Sequence, residues 1–136
     1  GDIWLMRNKK YPDMLAEESV SIRAVRRVYS DLSGQSSASL SPKDIYDIAE
    51  GIKEGDSHAA IASFNELGIM AGAAIASVLN VVDGLVVIGG GVAGASKYIL
   101  PALITELRAQ LTTFSGNKFP CVSMQVSIKT DLGAVQ

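Results

Sequence analysis

Apolar positions recur at helical spacing along most of the chain. Together with capping residues, this pattern predicts four helices, over residues 14–32, 42–54, 57–79 and 96–111. The second helix has the clearest start, because Ser41 stands at the cap, Pro42 at the first helical position and an acid in the first turn. We expect Gly55 to end this helix, and Asp56 or Ser57 to cap the third one.

Two segments have the pattern of β-strands. Residues 85–88 are a short apolar run with β-branched side chains, which is typical of a strand buried on both faces. Residues 122–128 alternate apolar and polar side chains, as a half-buried strand does, and a polar turn over residues 115–118 precedes them. Because a helix separates the two segments, we predict a β-α-β unit and an α/β fold in which helices pack on a small sheet.

Small residues recur every four positions along the third helix, at Gly68, Gly72 and Ala76. Each glycine lowers helix propensity by about 1 kcal/mol relative to alanine, so its repeated use indicates contact with a neighbour. Small side chains on one face allow another helix or a sheet to approach the backbone closely. We therefore predict a close contact along this face.

Composition and charge narrow the classes of function. The 136 residues are 48% hydrophobic and 19% charged, which is typical of one globular domain with its own core. A net charge of −2 argues against a domain that binds nucleic acid through a basic surface. With one cysteine, Cys121, and one histidine, His58, the chain has neither a disulfide framework nor a Cys/His zinc cluster of its own.

The sequence also suggests where the protein resides. The longest apolar stretch, residues 67–82, is shorter than the roughly 20 residues that span a bilayer and contains glycine, serine and asparagine. We expect this stretch to be a buried helix. The lone cysteine and the absence of a signal peptide pattern predict a cytoplasmic protein. The chain begins with Gly1 rather than methionine, so we expect a processed or excised piece.

Isolated charged and polar residues have ordinary structural explanations. His58 falls in the first turn of the third helix, where we expect it to be exposed, and Cys121 is expected to be a small buried residue. Arg23, Arg26 and Arg27 form a basic patch on one helix face. For this patch we expect ion pairs with neighbouring acids rather than phosphate binding.

A glycine triplet, Gly89-Gly90-Gly91, follows the first predicted strand and precedes the fourth helix. Glycines at the carboxyl end of a strand leave the backbone open to a ligand, at the edge where open α/β sheets bind nucleotides. With Gly94, the spacing matches the dinucleotide fingerprint, but no acid stands about 20 residues further on at the end of the next strand. Three interpretations remain open: a tight turn that packs a helix on the sheet, a nucleotide contact, and a Rossmann-type site.

The sequence around this turn resembles a known family. Residues 71–92 read AGAAIASVLNVVDGLVVIGGGV, which is similar to the signature of the ROK family of sugar kinases and sugar-responsive repressors. The resemblance implies a partial actin/hexokinase-like (ribonuclease H-like) ATPase fold, in which ATP lies between two α/β lobes. It also implies that residues 1–136 are a single domain similar to the C-terminal lobe, and that the N-terminal lobe is not present.

The resemblance assigns candidate site residues as well. The family's adenosine-contacting loop falls on Gly89, Gly90, Gly91 and Val92, and its two sugar-contacting acids fall on Asp2 and Glu17. Asp2 is one methylene shorter than the family's glutamate. The family's zinc-binding histidine falls at Leu5, and its Cys-x-Cys-Gly-x-x-Gly-Cys motif is absent. We therefore expect no zinc and no metal ligand in this chain.

The resemblance implies that the complete protein is an ATP-dependent sugar kinase, a transferase of carbohydrate metabolism that uses Mg²⁺ and a hexose or amino-sugar substrate. This chain lacks the family's Asp-x-Gly-x-Thr phosphate loop and the Asn-Asp pair that carries the general base. Phosphoryl transfer depends on such positioning groups, so we expect no catalytic residue in the chain and no activity from it alone.

The resemblance also implies partners and leaves alternatives. The expected partners are the N-terminal lobe of the same protein and a second copy in a homodimer, with no membrane and no direct nucleic-acid contact. The chain is alternatively a lobe of a sugar-responsive transcriptional regulator, a dinucleotide-binding module, or a scaffold that only pairs subunits.

Overall fold

The computed structural model describes residues 6–82, 84, 86–89, 93–122, 128–130 and 133–135. Within these residues, the α-helices are α1 (Ile22–Ser33), α2 (Pro42–Ala49), α3 (Ser57–Leu79) and α4 (Ser96–Leu107). Two single-turn 3-10 helices lie at Ala16–Ser19 and Ala93–Ala95. The strands are short: β1 (Gln110–Thr112), β2 (Lys118–Pro120), β3 (Ile128–Thr130) and β4 (Gly133–Val135).

The first predicted helix is divided in two. Ser21 has an extended backbone at φ −143°, and its hydroxyl accepts a hydrogen bond from the Ala24 amide at 3.3 Å, so α1 begins directly after it. The preceding 3-10 helix, Ala16–Ser19, is a separate element that we call the Glu17 turn. Gly34 ends α1 in the left-handed region at φ 70°. The prediction of one helix over residues 14–32 is therefore wrong at its N-terminal end, because a serine inside it acts as a cap.

The predicted start of α2 is confirmed. Ser41 Oγ accepts a hydrogen bond from the Asp44 amide at 3.1 Å, and Asp44 Oδ2 accepts one from the Ser41 amide at 2.8 Å. This reciprocal pair is a capping box. The bond from the Ser41 amide, with that of the Lys53 ammonium, lowers the pKa of Asp44 to about 2.

The end of α2 comes earlier than predicted. The helix stops at Ala49, because Gly51 adopts the left-handed conformation at φ 76°. Ile52 is consequently 75% exposed instead of continuing the apolar stripe. Gly55 therefore does not end the helix. Its φ is 156°, and a Cβ built on it would lie 2.8 Å from the hydroxyl oxygen of Tyr29.

The core is built around α3, against which α1, α2 and α4 all pack. Asp56 caps α3 through a 3.0 Å hydrogen bond from the Ala59 amide, and the bounds of the helix match the prediction. The largest fully buried side chains belong to this core: Tyr29, Phe64, Ile45, Ile48, Ile99 and Val25. A second apolar cluster, around Leu103 and Leu107, lies further along α4 and includes Val122.

Among the described residues, α3 is the one helix long and apolar enough to cross a membrane by length and composition. Its most apolar window has a mean hydropathy of 1.4, and 56% of that window is buried inside the protein. A core helix of a globular domain has the same properties. The burial agrees with the buried helix predicted over residues 67–82 as far as Leu79, whereas Val81 and Val82 lie beyond the helix and are exposed.

The predicted close contact along α3 is confirmed, and α4 provides it. A Cβ built on Gly68 would lie 2.3 Å from the carbonyl oxygen of Ile99. A Cβ built on Gly72 would lie 2.9 Å from the carbonyl oxygen of Leu103. Both distances are shorter than any real Cβ contact, so only glycine permits this approach of the two helices.

The predicted strand over residues 85–88 is wrong for its described part. Val86, Val87 and Ile88 have no regular secondary structure, and Val87 is 81% exposed. An apolar run becomes a strand only where a neighbouring strand satisfies its backbone, and in the described residues no strand pairs with it. Leu85 lies outside the described residues.

The C-terminal third differs from the predicted β-α-β unit. α4 ends at Leu107 rather than at Leu111, which instead pairs with Phe119 in an antiparallel hairpin of β1 and β2. β3 and β4 form a second antiparallel hairpin. Of the strand predicted over residues 122–128, Val122 lies in a bend and residues 123–127 lie outside the described residues. The described part of the chain thus combines helices with small antiparallel sheets.

Candidate functional site

The Glu17 turn is presented by a closed loop at the start of the described chain. We call residues 6–15 the N-terminal loop. Its two ends are joined by a hydrogen bond from the Ala16 amide to the Met6 carbonyl at 2.7 Å and by one from the Asn8 amide to the Met14 carbonyl at 3.0 Å. Arg7 and Leu15 form an antiparallel bridge between these bonds. The loop therefore enters and leaves at one point, and the Glu17 turn follows immediately.

Asn8 is the buried centre of this loop, with only 2% of its surface exposed. Its Nδ2 donates to the Ser19 hydroxyl at 2.7 Å and to the Leu15 carbonyl at 3.2 Å. Its Oδ1 accepts hydrogen bonds from the amides of Lys10 at 2.9 Å and Tyr11 at 3.0 Å. The side-chain amide thus uses both N–H groups and both acceptor positions.

The N-terminal loop is also tied to the helices behind it. Lys10 forms an ion pair with Glu66 of α3 at 2.8 Å, which raises the pKa of Lys10. Lys9 pairs with Glu106 of α4. Between the loop and α3 lies a cleft of about 340 Å³ whose lining includes Met6 and Met70. The loop is consequently docked on the same two helices that make the close glycine contact.

Glu17 lies at the surface of its turn, with 47% of its side chain exposed. Its carboxylate is 3.9 Å from the guanidinium of Arg23, whose stronger partner is Glu18 at 3.2 Å. Such exposed ion pairs contribute little to stability, so they leave the Glu17 oxygens available to other donors. The predicted pairing of the basic patch with neighbouring acids is confirmed for Arg23.

Of the predicted glycine turn, Gly89 belongs to the described residues. It is exposed, and among those residues no atom lies within 4 Å of a Cβ built on it. Gly90, Gly91 and Val92 lie outside the described residues. The 3-10 helix Ala93–Ala95 then leads directly into α4.

A network that the sequence analysis missed fixes the first turn of α4. Glu50, the residue after α2, accepts hydrogen bonds from the hydroxyls of Tyr46 at 2.6 Å and Tyr98 at 2.8 Å, and it forms an ion pair with Lys97. The Lys97 ammonium, followed by the two hydroxyls, lowers the pKa of Glu50 to about 2. The Tyr98 ring also stacks on Phe64 at 6.3 Å between centroids. The helix that follows the glycine turn is therefore fixed to α2 and α3.

Sequence reasoning had little chance to find Glu50 or Asn8. Tyr98 and Glu50 are 48 positions apart in the chain, and neither belongs to a motif. The one local sign was the four-residue spacing of Tyr46 and Glu50, which allows contact on one helix face. Asn8 stands in a polar segment that reads as an ordinary turn.

The remaining candidates divide into described and undescribed residues. His58 is exposed, as predicted. Cys121 is half-buried, and its thiol lies 3.4 Å from the Glu106 carbonyl oxygen; burial, with the nearby Glu106 charge, raises the pKa of this thiol. Asp2 lies outside the described residues. In the part of the chain that the structure covers, no hydrogen bond or ion pair joins Glu17 to Gly89.

Comparison with known proteins identifies the family to which the chain belongs. A sequence profile described as the ROK family matches residues 16–135. The chain is 59% identical to glucokinase from Parabacteroides distasonis ATCC 8503, whose crystal structure superimposes with a TM-score of 0.75. The match covers 78% of this chain and 30% of the glucokinase chain, so this chain spans less than a third of that protein's length. None of the curated proteins gives a significant match.

Over the matched segment, the chain is similar in sequence and fold to a sugar kinase. The chain belongs to the ROK family, as the resemblance around the glycine turn predicted.

Proposed function

We propose that this chain is the C-terminal lobe of an ATP-dependent hexose kinase with an actin/hexokinase-like fold. The observation that carries the proposal is the 59% identity to a glucokinase structure at a TM-score of 0.75. The match to the ROK family over residues 16–135 supports the same assignment.

On the nucleotide side, we propose that Gly89, Gly90, Gly91 and Val92 contact the adenosine of ATP. The open space beside Gly89 supports this role, because a nucleotide can lie directly on a backbone without a Cβ. The network around Glu50 supports it further, since it holds the first turn of α4 next to the glycine turn. A contact of this kind needs a fixed backbone more than it needs charged side chains.

On the sugar side, we propose that Glu17 and Asp2 accept hydrogen bonds from hydroxyl groups of a hexose or an amino sugar. The exposed carboxylate of Glu17 supports this role, because its weak pairing with Arg23 leaves acceptor positions available. Carboxylates recognise sugars by hydrogen bonds to individual hydroxyls, which also give specificity. Asp2 joins this proposal through the family resemblance.

The chemistry requires parts that this chain does not supply. Among the residues that the structure describes, no group of three or more His, Cys, Asp and Glu is placed to hold a metal ion. From the family resemblance, we propose that Mg²⁺ binds with the phosphates of ATP against the N-terminal lobe, which also supplies the general base. The chain alone is then inactive, because phosphoryl transfer depends on placing the hydroxyl, the metal and the phosphates together. We further propose a cytoplasmic homodimer.

A chimera tests this proposal directly. In the Parabacteroides distasonis glucokinase, the segment similar to this chain is replaced by this chain, and ATP-dependent phosphorylation is measured on a panel of hexoses and amino sugars. We expect activity from the chimera and none from the 136-residue chain alone.

Each outcome of this experiment has a definite meaning. A folded chimera that binds neither ATP nor sugar would contradict the proposal. A chimera that binds sugar without phosphorylating it would favour the sugar-responsive regulator. Saturable binding of NAD in place of ATP would favour the dinucleotide-binding module. Activity from the chain alone would contradict the assignment of the base to the N-terminal lobe.

A further inference from the structure

The N-terminal loop has a defined shape without histidine or cysteine ligands to hold a structural zinc. Residues 6–19 contain neither histidine nor cysteine. His58 is exposed in the first turn of α3, and Cys121 lies beside the end of α4. The donor set of a zinc site is therefore missing, since structural zinc is held by Cys and His in tetrahedral geometry. Other contacts must hold the loop and the Glu17 turn in place.

Asn8 provides these contacts. Its Nδ2 reaches Leu15, directly before the Glu17 turn, and Ser19, the last residue of that turn. A single side chain thus holds both ends of the turn, and Glu17 lies between its two acceptors. Ser19 is buried as well, with 3% of its surface exposed. The bonds are consequently shielded from water, where a hydrogen bond is stronger and its loss is costlier.

We propose that Asn8 is a positioning residue that sets the orientation of Glu17 toward the sugar. This inference rests on the proposed function, because it takes Glu17 as a sugar-binding residue. Asn8 itself is buried, with 2% of its surface exposed. It acts by fixing the backbone on both sides of Glu17, so its loss displaces the carboxylate without removing it.

The isosteric variant Asn8→Asp is the sharpest test. Aspartate keeps the size and the acceptor oxygen that Lys10 and Tyr11 use, but it places a second oxygen against the Leu15 carbonyl, where Nδ2 donates. In the glucokinase chimera we expect the KM for hexose to rise by about tenfold, while the KM for ATP stays unchanged. Glu17→Gln should raise the KM for hexose at least as much.

A matched control separates positioning from general loss of stability. Ser37 is also a buried polar residue in a loop, with 6% exposed, and its hydroxyl donates to the Arg26 carbonyl at 2.8 Å. Ser37→Ala removes this buried hydrogen bond far from the Glu17 turn in sequence. We expect it to lower the melting temperature without changing the KM for hexose.

A second measurement uses the 136-residue chain and needs no catalysis. The amides of Ala16 and Glu18 are bonded within the loop and the turn, at 2.7 Å to Met6 and 3.1 Å to Leu15. Asn8→Asp should speed hydrogen exchange at both amides by about tenfold or more relative to Ser37→Ala, because these bonds open locally when the turn is released.

The outcomes distinguish this inference from the proposed function. If Glu17→Gln raises the KM for hexose and Asn8→Asp does not, the positioning role of Asn8 is overturned while the proposed sugar site stands. If neither variant changes that KM, the sugar site and the inference both fail. Unchanged hydrogen exchange in Asn8→Asp overturns the inference even if the chimera does not fold.

Discussion

Replacing Gly68 with alanine should destabilise the protein, although alanine is the better helix former. The new Cβ would lie 2.3 Å from the Ile99 carbonyl oxygen and 3.1 Å from the Cβ of Ala102. Ordinary contacts between heavy atoms of this kind are about 3.5–4.0 Å, so α3 and α4 must separate by roughly 1 Å. The oxygen belongs to the backbone of α4 and cannot rotate away, unlike the end of a flexible side chain.

The two opposing effects can be compared in size. Forcing extra volume into a packed contact costs about 1–3 kcal/mol, and a rigid backbone neighbour places Gly68→Ala at the upper end. Alanine recovers about 1 kcal/mol of helix propensity relative to glycine. The expected net loss is about 2 kcal/mol in the free energy of unfolding, which corresponds to about 5–8 °C in Tm for a chain of this length.

The assay is thermal and urea unfolding of the 136-residue chain, followed by circular dichroism. Gly72→Ala should cost less, because its Cβ would lie 2.8 Å from the Glu106 Cβ and 2.9 Å from the Leu103 carbonyl oxygen, both longer than the 2.3 Å contact at Gly68. Ser77→Ala is the matched control on the same helix: it is exposed, and alanine gains propensity without a new neighbour. A Gly68→Ala protein that unfolds at or above the temperature of the unsubstituted chain would refute the close-contact reasoning.

Three further predictions concern stability and reactivity. The folded-state pKa of Glu50 is about 2, below its usual 4.5, so this carboxylate stabilises the fold above pH 4.5 and that contribution is lost as the pH falls from 4.5 toward 2. Urea unfolding over this range should therefore depend less steeply on pH in Glu50→Gln, and equal slopes would contradict the network. Ser41→Ala should cost about 1 kcal/mol in urea unfolding by removing the cap of α2, unless the capping box is absent in solution. The raised pKa of Cys121 should slow its alkylation by iodoacetamide in the folded chain relative to the unfolded chain at about pH 8, and equal rates would show an open thiol.

The starts of α2 and α3 were predictable, because a local signal marks each of them. The capping box at Ser41 and the cap at Asp56 define the starts of α2 and α3 within a few residues of sequence. The close approach of α4 was predictable from Gly68 and Gly72, because a repeated cost in propensity needs a compensating contact. What the pattern did not specify is which element makes that contact.

The strands were predicted less well, because a strand depends on a partner that sequence pattern does not name. Residues 86–88 have the composition of a buried strand, yet no described strand lies beside them. Leu111 fits the apolar spacing of α4, but it pairs with Phe119 in the short hairpin of β1 and β2 instead. In both cases the presence or absence of a pairing partner decides the outcome over the local apolar pattern.

The candidate site shows the same division. Glu17 became a candidate through the family resemblance and Gly89 through the glycine triplet as well; the ROK family is confirmed for residues 16–135, and the site roles of both residues stay predictions. The sequence pattern did not point to Asn8 or Glu50, because each makes its contacts with several residues that are separate in the chain. A buried residue that supports a site through hydrogen bonds has no sequence motif of its own, whereas a residue that contacts a ligand often belongs to one.

The paired glycines of α3 also set the register of α4. Gly68 and Gly72 are one helical turn apart on α3. The carbonyls that pack against them, those of Ile99 and Leu103, are one turn apart on α4. Sliding α4 by one turn toward the start of α3 would bring a carbonyl against Phe64, whose fully buried ring leaves no room for it. The two helices therefore interlock at these two contacts, which oppose a displacement of α4 along α3.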